Sequence, residues 1–270
     1  MPCASYFSRF AARLSGLILV ALLAACGPAA MPPGDRIADV DERQNRAMHE
    51  FNVALDRTIV GPVSRGYGTV VPQPLRQGVS NFASNLSQPS YVVNNILQVR
   101  LGQATQNTLR FLLNSTIGIG GLFDPATALG VPARATDFGE TLHVYGVEEG
   151  DFIMLPVFGP STTRDTVGLL VDFATDPVGQ FVGMPDRRYA SGTRVMDRLG
   201  DRYDNDALIN GILYDSADGY AQLRSLYLQN RRFRLGGAAG GTNPATNAGD
   251  GADGPYADPY TDPYIDAYAP

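Results

Sequence analysis

Arg110-Phe111-Leu112-Leu113-Asn114-Ser115-Thr116-Ile117-Gly118-Ile119-Gly120-Gly121-Leu122-Phe123-Asp124 is the stretch on which the fold turns. No side chain between Phe111 and Phe123 carries a charge, and only Asp124 interrupts the neutral run before Arg134. The run is too short for a helix that crosses a bilayer, which takes about 20 apolar residues. A buried core helix, a re-entrant hairpin and an interfacial segment remain open, and the residues taken alone favour the core. Gly118-Ile119-Gly120-Gly121 predicts a tight bend, and Asp124-Pro125 predicts an N-cap with proline in the first turn of the next helix.

Helical spacing recurs on the N-terminal side of this run. Ala47, Met48, Phe51, Ala54, Leu55 and Ile59 predict an amphipathic helix between Asp39 and Val60, closed by Pro62. Leu75, Val79, Phe82 and Leu86 predict a second helix after Pro72-Gln73-Pro74, ending near Gln88-Pro89. A third carries Val92, Val93, Ile96 and Leu97, and a fourth runs from Gln103 to Thr116 with Leu109, Leu112, Leu113 and Thr116 on one side.

On the C-terminal side, a helix from Asp137 to Tyr145 ends at Gly146, followed by an irregular segment through Gly159-Pro160. Ser161 is placed to cap the next helix, with Leu169, Leu170 and Phe173 facing inward and Pro177 ending it. Two further helical patterns cover Arg187 to Asp215 (Val195, Leu199, Tyr203, Leu208, Ile212) and Ala217 to Arg234. The fold class is therefore all-α, several amphipathic helices making one body over residues 39–235. Residues 236–270 contain no basic side chain and space tyrosines at Tyr256, Tyr260, Tyr264 and Tyr268; their composition predicts a disordered acidic tail.

The N-terminus reads as an export signal over residues 1–25. Arg9 and Arg13 precede an apolar run from Leu14 to Leu23, and Leu23-Ala24-Ala25-Cys26 matches the bacterial lipobox. Cys26 is the expected lipidation site, carrying a diacylglyceryl group and an N-acyl chain, with residues 26–38 as a tether rich in glycine, proline and alanine. Gly27 after the cysteine points to the outer membrane, at its periplasmic face. Cys3 leaves with the signal, so no thiol remains for a disulfide or a zinc site. The precursor's formal charge is −6, and losing Arg9 and Arg13 makes the mature body more acidic still, which argues against nucleic acid as a partner.

Catalytic motifs are missing. The two histidines, His49 and His143, have no companion at metal-ligand spacing, and each reads as a packing or surface residue. Ser80 and Ser161 lack the second glycine of a hydrolase elbow; Asp137-Phe138-Gly139 stands without a strand lysine or a His-Arg-Asp loop, and the chain contains no lysine. No catalytic residue, metal site or cofactor beyond the acyl chains is assigned.

The segment from Asn45 to Gly168 resembles the MlaA (VacJ) lipoproteins. The matching blocks are Asn45-Arg46-Ala47-Met48 with Phe51-Asn52; Val71-Pro72-Gln73-Pro74; Gly78-Val79-Ser80-Asn81-Phe82 with Asn85-Leu86; and Val93-Asn94-Asn95. They continue through Arg110 to Gly118, Gly120 to Asp124, Asp137-Phe138-Gly139 with Thr141-Leu142, Leu155-Pro156, Gly159 to Thr162 and Arg164-Asp165. The resemblance implies a ring-shaped helical body in the inner leaflet of the outer membrane, commonly beside a trimeric porin. A central amphipathic channel would pass phospholipids misplaced in the outer leaflet to a soluble periplasmic carrier. It also shifts the neutral run towards membrane contact: Phe111, Leu112, Ile117, Ile119, Leu122 and Phe123 become candidates for channel wall or leaflet contact, and Gly146 and Gly150 for a gating loop.

This sequence departs from the family pattern at Val40 and Gln44, at His143 and Val144, and at Glu148-Glu149 with Asp151, where acid stands in a neutral region. The competing reading is a membrane-tethered scaffolding or binding lipoprotein that recruits a partner through its tail.

Overall fold

The computed structural model describes residues 39–181 and 186–239. The signal, Cys26, the tether and the tail beyond residue 239 lie outside the described residues.

Helix α1 (Glu42–Leu55) passes through a π turn (Asp56–Val60) directly into α2 (Gly61–Val70). Pro62 does not end the helical path as expected. The π turn has already moved the bonding register, with the Gly61 N–H reaching the carbonyl of Asp56, and Pro62 enters the first turn of α2, where a missing N–H is harmless.

The expected second and third helices are one, α3 (Gln73–Leu97), which runs through Pro89. An internal proline costs a helix about 3 kcal/mol. Packing of α3 against α4 (Leu101–Thr116) and α9 (Asp186–Asp204) along its length outweighs that loss. The bend predicted after α4 is present, and α5 (Pro125–Ala128) starts as foreseen, with the Asp124 carboxylate accepting from the Thr127 N–H.

Helix α6 (Phe138–Val144) ends before Gly146, which has φ +82°. The segment read as irregular holds an antiparallel hairpin, β1 (Phe152–Leu155) with β2 (Gly159–Thr162), Phe152 opposite Thr162 and Leu155 opposite Gly159. Two strands of four residues give too few alternations for a period to show in sequence, although Phe152 and Met154 do alternate inward.

Thr162, not Ser161, caps α7 (Thr163–Thr175), because its hydroxyl accepts from the Asp165 N–H while Ser161 Oγ meets Thr166 Oγ1. Leu170 and Phe173 on α7 face outward, contrary to expectation. The face of α7 that packs on α6 is the small one: a Cβ on Gly168 would lie 2.3 Å from the Gly139 nitrogen.

The pattern from Arg187 to Asp215 forms two helices, α9 and α10 (Asp206–Leu213), which follow the short α8 (Pro177–Phe181). Val195 and Leu208, placed inside by periodicity, are exposed. Helix α11 (Gly219–Ala239) continues past the predicted tail boundary at residue 236. The chain divides into two compact units, one ending at Tyr227 and one beginning at Leu228. In the first, Phe152 meets Tyr220 and Tyr227 edge to face; in the second, Leu228, Arg231 and Leu235 form a buried face.

Candidate functional site

The apolar loop between α4 and α5 is a turn held from below by ions and amides. Arg110, buried on α4, donates to the Val131 carbonyl at 2.7 Å and to Thr127 Oγ1 at 2.9 Å, and pairs with Asp124. Asn114, one helical turn on, donates to Asp124 Oδ1 at 3.0 Å and accepts from the Ala126 N–H at 3.1 Å. Burial alone would raise the Asp124 carboxyl, but hydrogen bonds from Thr127 and Asn114 and the charge of Arg110 outweigh it and hold the group below the usual carboxylate range. The far side is closed by Asn81, whose Nδ2 donates to the Leu122 carbonyl at 3.1 Å.

Gly121, at φ +100°, makes the bend possible, since any side chain there would strike Asn85 at 2.7 Å. The structure places Ile117, Ile119, Leu122 and Phe123 on this loop and Phe111 and Leu112 on the last turns of α4, and turns most of them outward. Ile117 is 64% exposed, Ile119 65% and Phe123 60%, with Leu112 and Leu122 also exposed and Phe111 half-buried. The core reading of this stretch is thereby corrected: a hairpin-like loop cannot bury its own side chains when its inward face is already filled by Arg110, Asn114 and Asp124.

The glycines of the second candidate loop frame residues 147–149. Gly150, at φ +71°, lies so close to Thr163 that a Cβ would sit 2.8 Å from that residue's own. Arg164 is buried and its Nη1 approaches the Val147 carbonyl at 3.4 Å and His143 Nδ1 at 3.5 Å; its N–H bonds the Glu149 carbonyl at 3.2 Å. The Thr163 N–H likewise bonds the Asp151 carbonyl at 2.9 Å. Both ends of the loop are pinned to the start of α7.

The hairpin is clipped to α1 by two asparagines. Asn45 donates to the Phe152 carbonyl at 3.0 Å and accepts from the Met154 N–H at 2.8 Å, and Asn52 repeats the pair with Leu155 and Val157 at 2.8 Å each. Asn45 also donates to Asp39, whose carboxylate takes bonds from Tyr220 and Arg224. Against the rise that burial imposes, these three donors hold Asp39 below its ordinary value.

The pattern common to these sites is an inversion of polarity. The largest fully buried side chains among the described residues are Gln88, Asn95, Asn107, Thr162 and Ser64, whereas Phe51, Leu75, Ile96, Leu112, Leu170 and Phe173 are exposed. A water-soluble body of amphipathic helices shows the reverse arrangement. Among the described residues no helix is long and apolar enough to cross a membrane, and no group of histidine, cysteine or acidic side chains is arranged to hold a metal ion. His49 is buried edge to face against Tyr220, as a packing residue, and burial lowers its pKa.

Residues 37–234 match the model of the MlaA lipoprotein family. The chain belongs to the MlaA lipoprotein family. Among MlaA proteins, the intermembrane phospholipid transport system lipoproteins of Shigella flexneri and Haemophilus influenzae are 36% and 31% identical to it, over 83% and 81% of this chain and 89% and 90% of theirs. A solved structure from work on the structural basis for maintenance of bacterial outer membrane lipid asymmetry matches with a TM-score of 0.58 at 31% identity, covering 73% of this chain and 98% of that one. Asn45 and Asn52 hold the hairpin, Asn114 and Arg164 the two candidate loops, and Asn85 joins α3 to α4 by donating to Ser115 Oγ at 3.0 Å. Sequence reasoning missed the hairpin tip and the turn after α3, because neither carries a motif.

Proposed function

We propose that this chain is an outer-membrane lipoprotein that removes phospholipids mislocalised to the outer leaflet and passes them to a soluble periplasmic carrier, maintaining lipid asymmetry. The observation that carries the reading is the exposure of many large apolar side chains on the amphipathic helices and on the Ile117–Phe123 loop, while amides and arginines are buried beside a small apolar core that includes Phe152, Met154, Ile212 and Tyr220. Two acyl chains hold about 30 methylenes, and at roughly 0.8 kcal/mol each their exposure to water would cost more than about 20 kcal/mol. A body that shelters such chains needs an apolar face for the tails and polar groups for the headgroup, and this one has both.

In this reading Cys26 carries the acyl anchor at the periplasmic face, a trimeric porin is the neighbour in the membrane, and the body is a ring around an amphipathic channel. Phe111, Leu112, Ile117, Ile119, Leu122 and Phe123 form channel wall or leaflet contact, and the Gly146–Gly150 loop gates the passage. The reading assigns no catalytic residue.

Deleting the gene and measuring phospholipid in the outer leaflet tests the proposal. Accumulation, reversed by the intact gene and not by a Cys26→Ala copy, is the expected result. Unchanged outer-leaflet phospholipid and unchanged detergent resistance would overturn it.

A further inference from the structure

Three turns hold a β-branched residue in left-handed backbone: Val99 at φ 59°, Ile119 at φ 53° and Val157 at φ 69°. Among the described residues they are the only non-glycine residues with positive φ. All three point away from the protein, with exposures of 76%, 65% and 70%. Glycine makes such a turn without steric penalty and asparagine or aspartate with a small one, whereas valine and isoleucine are the least suited. In water each of these residues loses twice, through backbone strain and through a wetted apolar side chain. Strain of this kind persists only where the surrounding structure imposes it, and it gathers at functional sites.

The polar groups around the turns are withdrawn. Gln98 and Arg100 flank Val99 and both turn inward, Gln98 donating to Thr136 and Thr141 and Arg100 pairing with Glu140. Several backbone donors of these turns are taken as well: the N–H groups of Val99, Arg100, Gly120 and Phe123 bond the carbonyls of Ile96, Asn95, Ser115 and Gly118. The Val157 N–H is taken by Asn52 Oδ1 at 2.8 Å. Water or a protein partner would satisfy such groups itself; an acyl layer cannot, and requires them satisfied beforehand. Each turn also has apolar company: Leu97 and Leu101 beside Val99, Ile117 and Phe123 beside Ile119, and Phe158, stacked edge to face on Phe173, beside Val157.

We infer that Val99, Ile119 and Val157 are immersion points, strained turn residues that enter the acyl region of a phospholipid leaflet and set the depth at which the body sits. The inference rests on the lipid-handling reading above and deepens it. It assigns Ile119 to leaflet contact and adds two residues that sequence reasoning did not single out.

The test uses the full-length chain in phospholipid vesicles, with an environment-sensitive fluorophore on a cysteine introduced as Val99→Cys, Ile119→Cys or Val157→Cys, and on Asp215→Cys as an exposed polar control. Lipids carrying a quencher in the acyl chain are expected to quench the probe at the three turns and not at position 215. Aqueous emission at the turns, or equal quenching at the control, overturns the inference. A second chain carries Val99→Asn, Ile119→Asn and Val157→Asn, which suit left-handed backbone, with the probe at Ile117→Cys. Its melting temperature is expected to hold or rise while quenching at Ile117 falls towards the control value. A lowered melting temperature with an unmoved probe assigns the three side chains to packing within the protein and overturns the inference. The gene-deletion experiment reads separately, because intact lipid asymmetry would remove the transport function without altering where the probes lie.

Discussion

Asp56 and Arg202, 146 positions apart in sequence, meet through two hydrogen bonds of 2.9 Å, and both side chains are nearly out of solvent. The π turn after α1 carries Asp56 to this point, where the Tyr214 hydroxyl also donates to it at 2.6 Å and Asn210 accepts from Arg202 at 2.7 Å. One ion pair thus joins the N-terminal helical path to α9 and α10.

Arg202→Ala is expected to lower stability by about 3–5 kcal/mol, because it strands a buried carboxylate. Replacing the pair together, Asp56→Leu with Arg202→Met, is expected to lose much less, since neither charge is then left alone. Denaturant unfolding of the detergent-solubilised protein, followed by helical circular dichroism, measures both; equal losses in the two variants would refute the argument.

Acid should loosen the body. Asp39, Asp56 and Asp124 are each held below the ordinary carboxylate range, burial pushing up and hydrogen bonds with arginine charge pulling further down. A depressed folded pKa gives stability that is complete above the unfolded pKa and is lost as pH falls through the folded one. Melting temperature should therefore ease down as pH falls below about 6.5, where the unfolded chain takes up a proton on His49 that the buried ring resists, and drop further below about pH 4. Asp124→Asn, which keeps a capping residue but removes the charge, should flatten part of that drop.

Gly168→Ala is expected to be among the most damaging substitutions in the chain. The added methyl would meet the Gly139 nitrogen at 2.3 Å and its Cα at 2.6 Å, both backbone atoms that cannot swing aside. Overpacking of this kind costs about 1–3 kcal/mol or more. Gly192→Ala, in open space on α9, serves as the control and should be neutral or slightly stabilising. A Gly168→Ala protein as stable as the control would show that α6 and α7 separate easily.

Ile117→Asp and Phe123→Asp should cost no more than about 1 kcal/mol, since both side chains are exposed and the main penalty is a carboxylate at Ile117, the C-cap of α4. Phospholipid in the outer leaflet should nonetheless rise towards the level of the deletion strain. Normal asymmetry in cells that contain the variant proteins at ordinary abundance would remove this loop from the site.

Residues that act on their near neighbours were readable. Asp124 as a cap, Gly118 to Gly121 as a bend and Gly146 as a helix end follow from backbone preferences within a turn or two, and each stands where expected. The breaks assigned to Pro62 and Pro89 failed for different reasons: the π turn puts Pro62 in the first turn of α2, where no bond is lost, and at Pro89 a local penalty of about 3 kcal/mol is small beside the packing of a long helix on two others, which no window of sequence displays.

The amphipathic periodicity and the ordered family blocks, both present in the sequence, determined a helical body and its kinship. Which face of each helix is the inside was decided only in three dimensions. Periodicity reports that two faces differ, and the inward orientation of Leu170, Phe173, Val195 and Leu208 was supplied by the assumption that water is the solvent. Here hydrogen bonds between residues far apart, such as Asn94 with Asp172 and Asn107 with Arg134, draw the amides to the interior and leave the apolar faces outside. Such bonds form only when distant segments meet, so no stretch of the chain could announce them.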